Sequence, residues 1–319
     1  MLTMATFVRR LWNGSAPLTA SGLLMLVALP ACIAGLWLDP RLIAGAPAWL
    51  KPAKFAISIA IYALTLAWIF GHLPAWPRMR RNVGWITAVV LVLEVGIIDM
   101  QAWRGTTSHF NVGTPLDAIL FTVMGLAIVL QTLASVAVAV ALWRERFADR
   151  ALGWALRLGM TMTIIGASTG GLMTMPTAAQ LADARATHRM AYSGAHTVGA
   201  PDGGPGLPGT TWSREHGDLR VPHFLGLHAL QALLVLALLL TKGLENEARR
   251  VRLTIVAAGA YLALFIILLM QALRGEALIA PSERTIVMLG TWLLVTASAV
   301  WLAAARSAAA SRGSAIVLG

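Results

Sequence analysis

Long apolar runs separated by short polar segments dominate the chain from residue 17 to residue 305. Eight such runs are each close to the roughly 20 residues that a helix needs to cross the hydrocarbon core of a bilayer. The pattern therefore predicts an all-α integral membrane protein with about eight transmembrane helices. Their approximate limits are 17–38, 54–72, 83–103, 116–143, 153–176, 222–241, 252–272 and 285–305.

Composition agrees with this prediction. The chain is 58% hydrophobic and 12% charged, whereas a soluble domain is about 45–50% apolar and about 25% charged. The net charge of +11 does not predict a nucleic-acid partner, because the basic residues lie in short loops between apolar runs. The predicted partner is the lipid bilayer, and the sequence leaves the oligomeric state open. The single cysteine, Cys32, excludes an internal disulfide.

Basic residues concentrate in alternate loops. Because basic loops stay in the cytoplasm, both termini are predicted to be cytoplasmic, in a bacterial-type inner membrane. The long loop 177–221, which contains the Gly/Pro-rich stretch 200–209, then faces outside. The basic residues on the predicted inner side are Arg9, Arg10, Arg78, Arg80, Arg81, Arg144, Arg146, Arg150, Lys242, Arg249, Arg250, Arg252, Arg306 and Arg312.

Two short strings recur along the chain. Leu50–Phe55 begins the second apolar run, and the similar Leu219–Phe224 begins the sixth, 169 residues later. Met100–Gly105 ends the third run, and Met270–Gly275 ends the seventh, 170 residues later. The nearly equal spacings favour an internal duplication over chance agreement between short strings.

A duplication of four spans gives two halves with the same orientation in the membrane, at residues 1–152 and 153–319. This duplicated eight-helix plan resembles that of the haem A synthase family. The family's histidines are shared between both halves, whereas here Lys54 stands where a counterpart of His223 would be. No residue role is therefore carried over.

Residues 217–231 pack an acid, a base, two histidines and an amide next to a purely apolar run. A polar cluster leading into an apolar helix is typical of a site at a membrane surface, and Asp218, His223 and His228 are its candidate catalytic residues. His228 and Gln231 share one helical face. The alternative is that each histidine only bonds a neighbouring helix.

His109, His223 and His228 are also candidate ligands of a divalent metal or a b-type haem, since neutral imidazole binds metals. All three lie near the same predicted membrane surface. A second set of side chains is suited to an anionic or quinone-like small molecule, because these side chains donate charge-assisted or amide hydrogen bonds or offer a ring. The candidate substrate-binding residues are Lys54, Gln101, Arg104, Trp212, Arg220 and Gln231.

Glu94 falls in the middle of the third apolar run. A carboxylate at that depth costs at least ~2.5 kcal/mol and marks a functional site by default, so Glu94 is a further candidate catalytic residue. Its alternative role is a neutral, hydrogen-bonded acid that joins two helices.

Three functions remain open at this stage. The first is an outward-facing metal- or haem-binding membrane enzyme or redox protein that uses the histidines and arginines. The second is a transporter or channel for a small, anionic solute that uses Glu94. The third is a non-catalytic assembly or sensor protein whose long outer loop meets a partner.

Overall fold

The computed structural model describes the backbone of residues 3–316 and the side chains of residues 3–305, so Arg306 and Arg312 lie outside the described side chains. The chain is mostly helical. Its elements, in order, are α1 (Met4–Gly14), α2 (Ala16–Leu38), β1 (Leu42–Ile43), β2 (Ala46–Pro47), α3 (Leu50–Phe70), α4 (Pro77–Arg104), α5 (Pro115–Arg144), α6 (Arg150–Met173), α7 (Ala178–Thr187), β3 (Thr197–Val198), β4 (Gly217–Asp218), α8 (Arg220–Leu227), α9 (Ala229–Gly243), α10 (Glu247–Leu273) and α11 (Glu283–Ile316).

Among the described residues, six helices are long and apolar enough to cross a membrane, namely α2, α3, α4, α5, α10 and the part of α11 up to Ala305. The pair α8 and α9 counts as a seventh span if it is read as one helix bent by 44°. The sequence pattern treats 222–241 as one continuous helix, and the structure corrects this by dividing it at His228. Of the eight predicted spans, only α6 is not among these candidates. This helix carries Arg157 and many glycines and threonines, which lower its hydropathy. The multi-pass membrane class is thus supported, while the count of eight and the orientation of the termini stay predictions.

The chain forms two compact units. Unit 1 comprises residues 1–141, 171–196 and 201–211, and unit 2 comprises residues 142–170, 197–200 and 212–319. In unit 1, α3 packs against α2 and α4, and the buried cluster between them combines three alanines of α3 with larger side chains such as Met25 and Leu91. In unit 2, α10 packs against α8, α9, α11 and β4.

Short antiparallel strand pairs lie in two of the described segments between helices. β1 pairs with β2 ahead of α3, and β3 pairs with β4 ahead of α8. The tight turn at Ala44 and Gly45 has positive φ at both residues, which is the geometry that a two-residue hairpin turn requires.

The ends of α4 and α10 have the same local structure. Gly105 and Gly275 have φ of +75° and +76°, and each donates its N–H to the alanine carbonyl three residues earlier. The Nε2 of Gln101 bonds the carbonyl six residues on at 3.5 Å, and that of Gln271 does so at 2.8 Å. This agreement supports the predicted duplication, which as a whole stays a prediction.

Candidate functional site

Glu94 lies in the interior of α4. Its side chain is 2% exposed, and its Oε1 has no hydrogen-bond partner among the described residues. Because Arg104 ends the same helix ten residues later, Glu94 lies roughly 15 Å below that end. The structure thus places a buried carboxylate with an unsatisfied oxygen at mid-span, where the sequence predicted a site residue.

A second polar group lies inside the helices of unit 1. The hydroxyl of Tyr62 on α3 bonds Ser135 Oγ on α5 at 3.1 Å and accepts from Gln131 Nε2 at 3.3 Å. The Oε1 of Gln131 is buried without a partner in the described part of the chain. None of these three residues is among the site residues predicted from the sequence, although each is a polar residue in an apolar run.

Asp117, in the first turn of α5, organises the end of α4. Its Oδ1 accepts from Gln101 Nε2 at 2.9 Å and from Arg104 Nη1 at 2.6 Å, and its Oδ2 accepts from Thr114 Oγ1 at 2.6 Å. Arg104 Nη1 also donates to Gln101 Oε1. Two predicted substrate-binding residues, Gln101 and Arg104, are therefore joined to an acid that is not among the predicted site residues.

Lys51 and His109 form a pair, with Lys51 Nζ 3.1 Å from His109 Nδ1. A lysine ammonium can only donate, so Nδ1 accepts and the neutral ring carries its proton on Nε2. This tautomer does not favour His109 as a metal ligand through Nε2. Lys54 donates to the carbonyl of Thr210 at 3.0 Å, so this predicted substrate-binding residue holds a segment of the long loop.

Each unit contains an Asp-x-Arg sequence in which the arginine forms an ion pair with the aspartate two residues earlier. In unit 1, Arg41 donates from its backbone N and its Nε to Asp39 Oδ1, and from Nη2 to Oδ2 at 2.6 Å. Arg41 thereby holds the pKa of Asp39 well below its usual range. In unit 2, Arg220 makes the same three bonds to Asp218, again with an Nη2–Oδ2 distance of 2.6 Å. Asp218 is 2% exposed and also accepts from the backbone N of Ser213 at 2.8 Å.

His223 on α8 bonds α6. Its Nδ1 lies 2.9 Å from the carbonyl oxygen of Gly166 and 3.1 Å from Thr169 Oγ1. A carbonyl only accepts, so Nδ1 carries the proton and Nε2 is the basic nitrogen of the neutral ring. His223 and His109 are therefore opposite tautomers, and of these two histidines it is His223 that has the Nδ1–H···O=C bond common behind metal ligands and proton acceptors.

His228 occupies the break between α8 and α9, with φ −92° and ψ 5°. Its ring lies 4.4 Å from the Phe224 ring, which in turn lies 5.8 Å from the Trp212 ring. Gln231 follows in the first turn of α9, and its Oε1 is buried without a partner among the described residues. The predicted residues Trp212, His228 and Gln231 thus surround the break.

Side chains from other helices satisfy the backbone groups at this break. Tyr261 on α10 donates its hydroxyl hydrogen to the carbonyl of Leu225 at 2.6 Å. Thr163 on α6 donates to the carbonyl of Leu227 and accepts from the N–H of Leu230, both at 3.3 Å. Backbone that leaves the helix inside a membrane needs such partners. The sequence analysis missed both residues, because neither stands near residues 217–231.

The predicted site residues fall in two sets. Unit 1 holds Lys54, Glu94, Gln101, Arg104 and His109, and unit 2 holds Trp212, Asp218, Arg220, His223, His228 and Gln231. Within the residues that the structure describes, no group of three or more His, Cys, Asp or Glu side chains is arranged to hold a metal ion. A joint role for His109, His223 and His228 stays a prediction.

No protein-family model matches the chain, and neither the curated proteins nor the solved structures give a match. The proposed function therefore rests on the geometry described above.

Proposed function

We propose that the protein is a multi-pass membrane transporter that couples the movement of a small solute to protonation of Glu94. The observation that carries the proposal is the mid-helix carboxylate, 2% exposed, whose Oε1 has no partner in the described part of the chain. An acid placed at such depth without a counter-charge bonded to it costs free energy of folding. Binding and release of a proton is a function that requires a carboxyl group at this position inside the helix.

The broken helix in unit 2 supports the same proposal. Transporters build solute sites from discontinuous helices, whose freed backbone groups line the site or are satisfied by neighbouring side chains. Here Tyr261 and Thr163 bond the backbone carbonyl and N–H groups on both sides of the break, so the surrounding helices stabilise it. His228 and Gln231 are the side chains at the break that we assign to solute binding.

The arginines do not add to a solute site. Arg104 lies 2.6 Å from Asp117, Arg220 lies 2.6 Å from Asp218, and each acid offsets the charge of its arginine. Specificity for an anionic group would come instead from the start of α9, where the positive end of the helix dipole lies at the break. A small solute with a carboxylate or similar acceptor suits that position.

Dicyclohexylcarbodiimide tests the proton site without knowledge of the solute, because this apolar reagent modifies protonated carboxyls inside membranes. We expect mass spectrometry of the reconstituted protein to find the adduct on Glu94, in a yield that falls as the pH rises. Glu94→Gln should lose the adduct, whereas Glu245→Gln, which changes an exposed loop acid, should keep it.

Coupling is tested in proteoliposomes that contain a pH-sensitive dye. Gradients of small carboxylates, then of neutral solutes, should produce a proton flux for one class in the wild type and none in Glu94→Gln. Absence of both the adduct and any solute-dependent flux would refute the proposal.

A membrane enzyme or redox protein is the second candidate, and the His223 tautomer is what favours it. Donation from Nδ1 to Gly166 leaves Nε2 as the nitrogen that ligates a metal or accepts a proton. A visible absorption spectrum and metal analysis of the purified protein distinguish the candidates. A Soret band or stoichiometric metal that His223→Ala removes would favour this second function.

A further inference from the structure

An open cavity of about 260 Å³ lies in unit 1, where α1 ends and where α2 and α4 begin. Ser15, Arg80, Arg81 and Trp85 are among the residues that line it. It lies at the end of α4 opposite to Arg104, on the side that the basic loops predict to be cytoplasmic. No residue assigned above to transport or to the helix break lines this cavity.

Arg80 is fixed at the wall of the cavity with part of its guanidinium unsatisfied. Its Nη2 donates to the carbonyls of Asn13 and Gly14 at 3.0 and 2.9 Å, which ties α1 to α4. Its Nε is buried and has no acceptor among the described residues. The two bonds to α1 hold the positive charge of Arg80 at the cavity wall, where it favours an anionic ligand.

Positive charge around the cavity is not balanced by acids in the adjoining sequence. Residues 1–38 and 70–93, which include α1, α2 and the first half of α4, contain no aspartate or glutamate. Arg9, Arg10 and Arg78 add to the charge of Arg80 and Arg81 in those segments. The field at the cavity therefore attracts anions.

The helices around the cavity also indicate that it lies at the surface of the bilayer, so that the anion is a lipid headgroup. Two candidate membrane spans, α2 and α4, begin at its rim, and Trp85 on α4 is 60% exposed beside it. α1 is amphipathic, with Met4 and Phe7 exposed on one face and Arg9 on the other. A helix of that kind lies in the interface of a bilayer, and tryptophans mark the level of the headgroups.

We propose that this cavity binds the phosphate of an anionic phospholipid headgroup. The Arg81 guanidinium donates to the non-bridging phosphate oxygens, Arg80 adds its positive charge at the cavity wall, and the acyl chains lie along the apolar surface beside Trp85. The basic pocket between helices, on the side where anionic lipid attracts arginine, fits that ligand. The proposal is independent of the transport function.

Native mass spectrometry of the purified protein in detergent tests the site with phosphatidylglycerol, phosphatidylcholine and inorganic phosphate as the probes. We expect phosphatidylglycerol to be retained and phosphatidylcholine to be lost. Arg81→Gln should weaken phosphatidylglycerol binding roughly fivefold, the effect of removing one arginine near an anionic lipid. Arg78→Gln removes an equal charge from the same helix but not from the cavity wall, so it should weaken binding clearly less than Arg81→Gln does.

Arg80 also anchors α1, so the decisive variant is Arg81→Gln, whose folding is checked by its melting temperature in phosphatidylcholine. Equal losses from Arg78→Gln and Arg81→Gln would show diffuse surface attraction and overturn the site. Equal retention of the two lipids would overturn it as well. Binding of inorganic phosphate that displaces the lipid at equal concentration would replace the headgroup with free phosphate and overturn the lipid assignment.

Discussion

Gly166 on α6 and Gly226 on α8 are packed so closely that a Cβ built on either would lie 2.4 Å from the other's Cα. Gly226 stands two residues before His228, and the carbonyl of Gly166 accepts from His223. Two glycines that remove all side-chain bulk at one crossing let membrane helices approach to backbone contact. This contact fixes α8 against α6 just before the helix breaks.

Alanine at Gly226 should therefore destabilise the protein and displace α8. A methyl group has no room against the backbone of Gly166, so we expect a loss of roughly 1–3 kcal/mol, the usual cost of overpacking. Thermal unfolding in detergent measures it. Gly259→Ala is the matched control, because a Cβ there meets nothing within 4 Å and alanine is the better helix former. Equal melting temperatures for Gly226→Ala and the wild type would show that this crossing is not tightly packed.

The break itself depends on two side chains from other helices. Thr163→Val removes the partner of Leu227 and Leu230, and Tyr261→Phe removes the partner of Leu225. We expect each to cost about 0.5–1.5 kcal/mol and to speed hydrogen exchange at the amides of residues 228–232. Ser168→Ala is the control, since its hydroxyl bonds only its own helix at Ile164. Unchanged exchange in both variants would mean that the break does not need these caps.

The sequence predicted the apolar helices well, because length and hydropathy alone decide whether a segment suits a bilayer. It also placed Glu94 correctly inside a helix, since position in an apolar run is a local property. The broken helix was not predictable in this way. The stretch around His228 reads as one apolar helix, and the groups that satisfy its break come from α6 and α10, far away in the sequence.

The partners of the charged residues were likewise hidden from the sequence. Asp117 stands three residues after Thr114, so its spacing indicated a helix cap, and that bond is present. Its ion pair with Arg104 links the start of α5 to the end of α4. A contact between two helices leaves no periodic pattern of apolar and polar positions in the sequence, so it could not be predicted. The short helix α1 was missed because its 11 residues are too few to cross a bilayer, and the sequence was searched for long apolar runs.

Orientation in the membrane is tested with single cysteines in a Cys32→Ala background. Ala186 on α7 and Ala75 between α3 and α4 are both exposed, so each accepts cysteine without loss of packing. The basic loops predict that an impermeant thiol reagent labels residue 186 on intact cells and labels residue 75 only after lysis. The reverse pattern would invert the predicted topology and would put the cavity at Arg80 on the outer surface.

Glu276, in the loop between α10 and α11, makes stability depend on acidity. The Arg274 guanidinium, at 2.5 Å, is the main cause that lowers its pKa from an ordinary 4.5 to about 2, and the Thr285 hydroxyl adds to it. A carboxylate with a lowered pKa contributes stability that is fully present above pH 4.5 and is lost as the pH falls towards 2. Glu276→Gln should therefore lower the melting temperature at pH 7, and its difference from the wild type should shrink steadily between those two values. Glu245→Gln, at an exposed loop position, should show no such trend. A difference for Glu276→Gln that stays constant down to pH 2 would show that the glutamate acts through its shape rather than its charge.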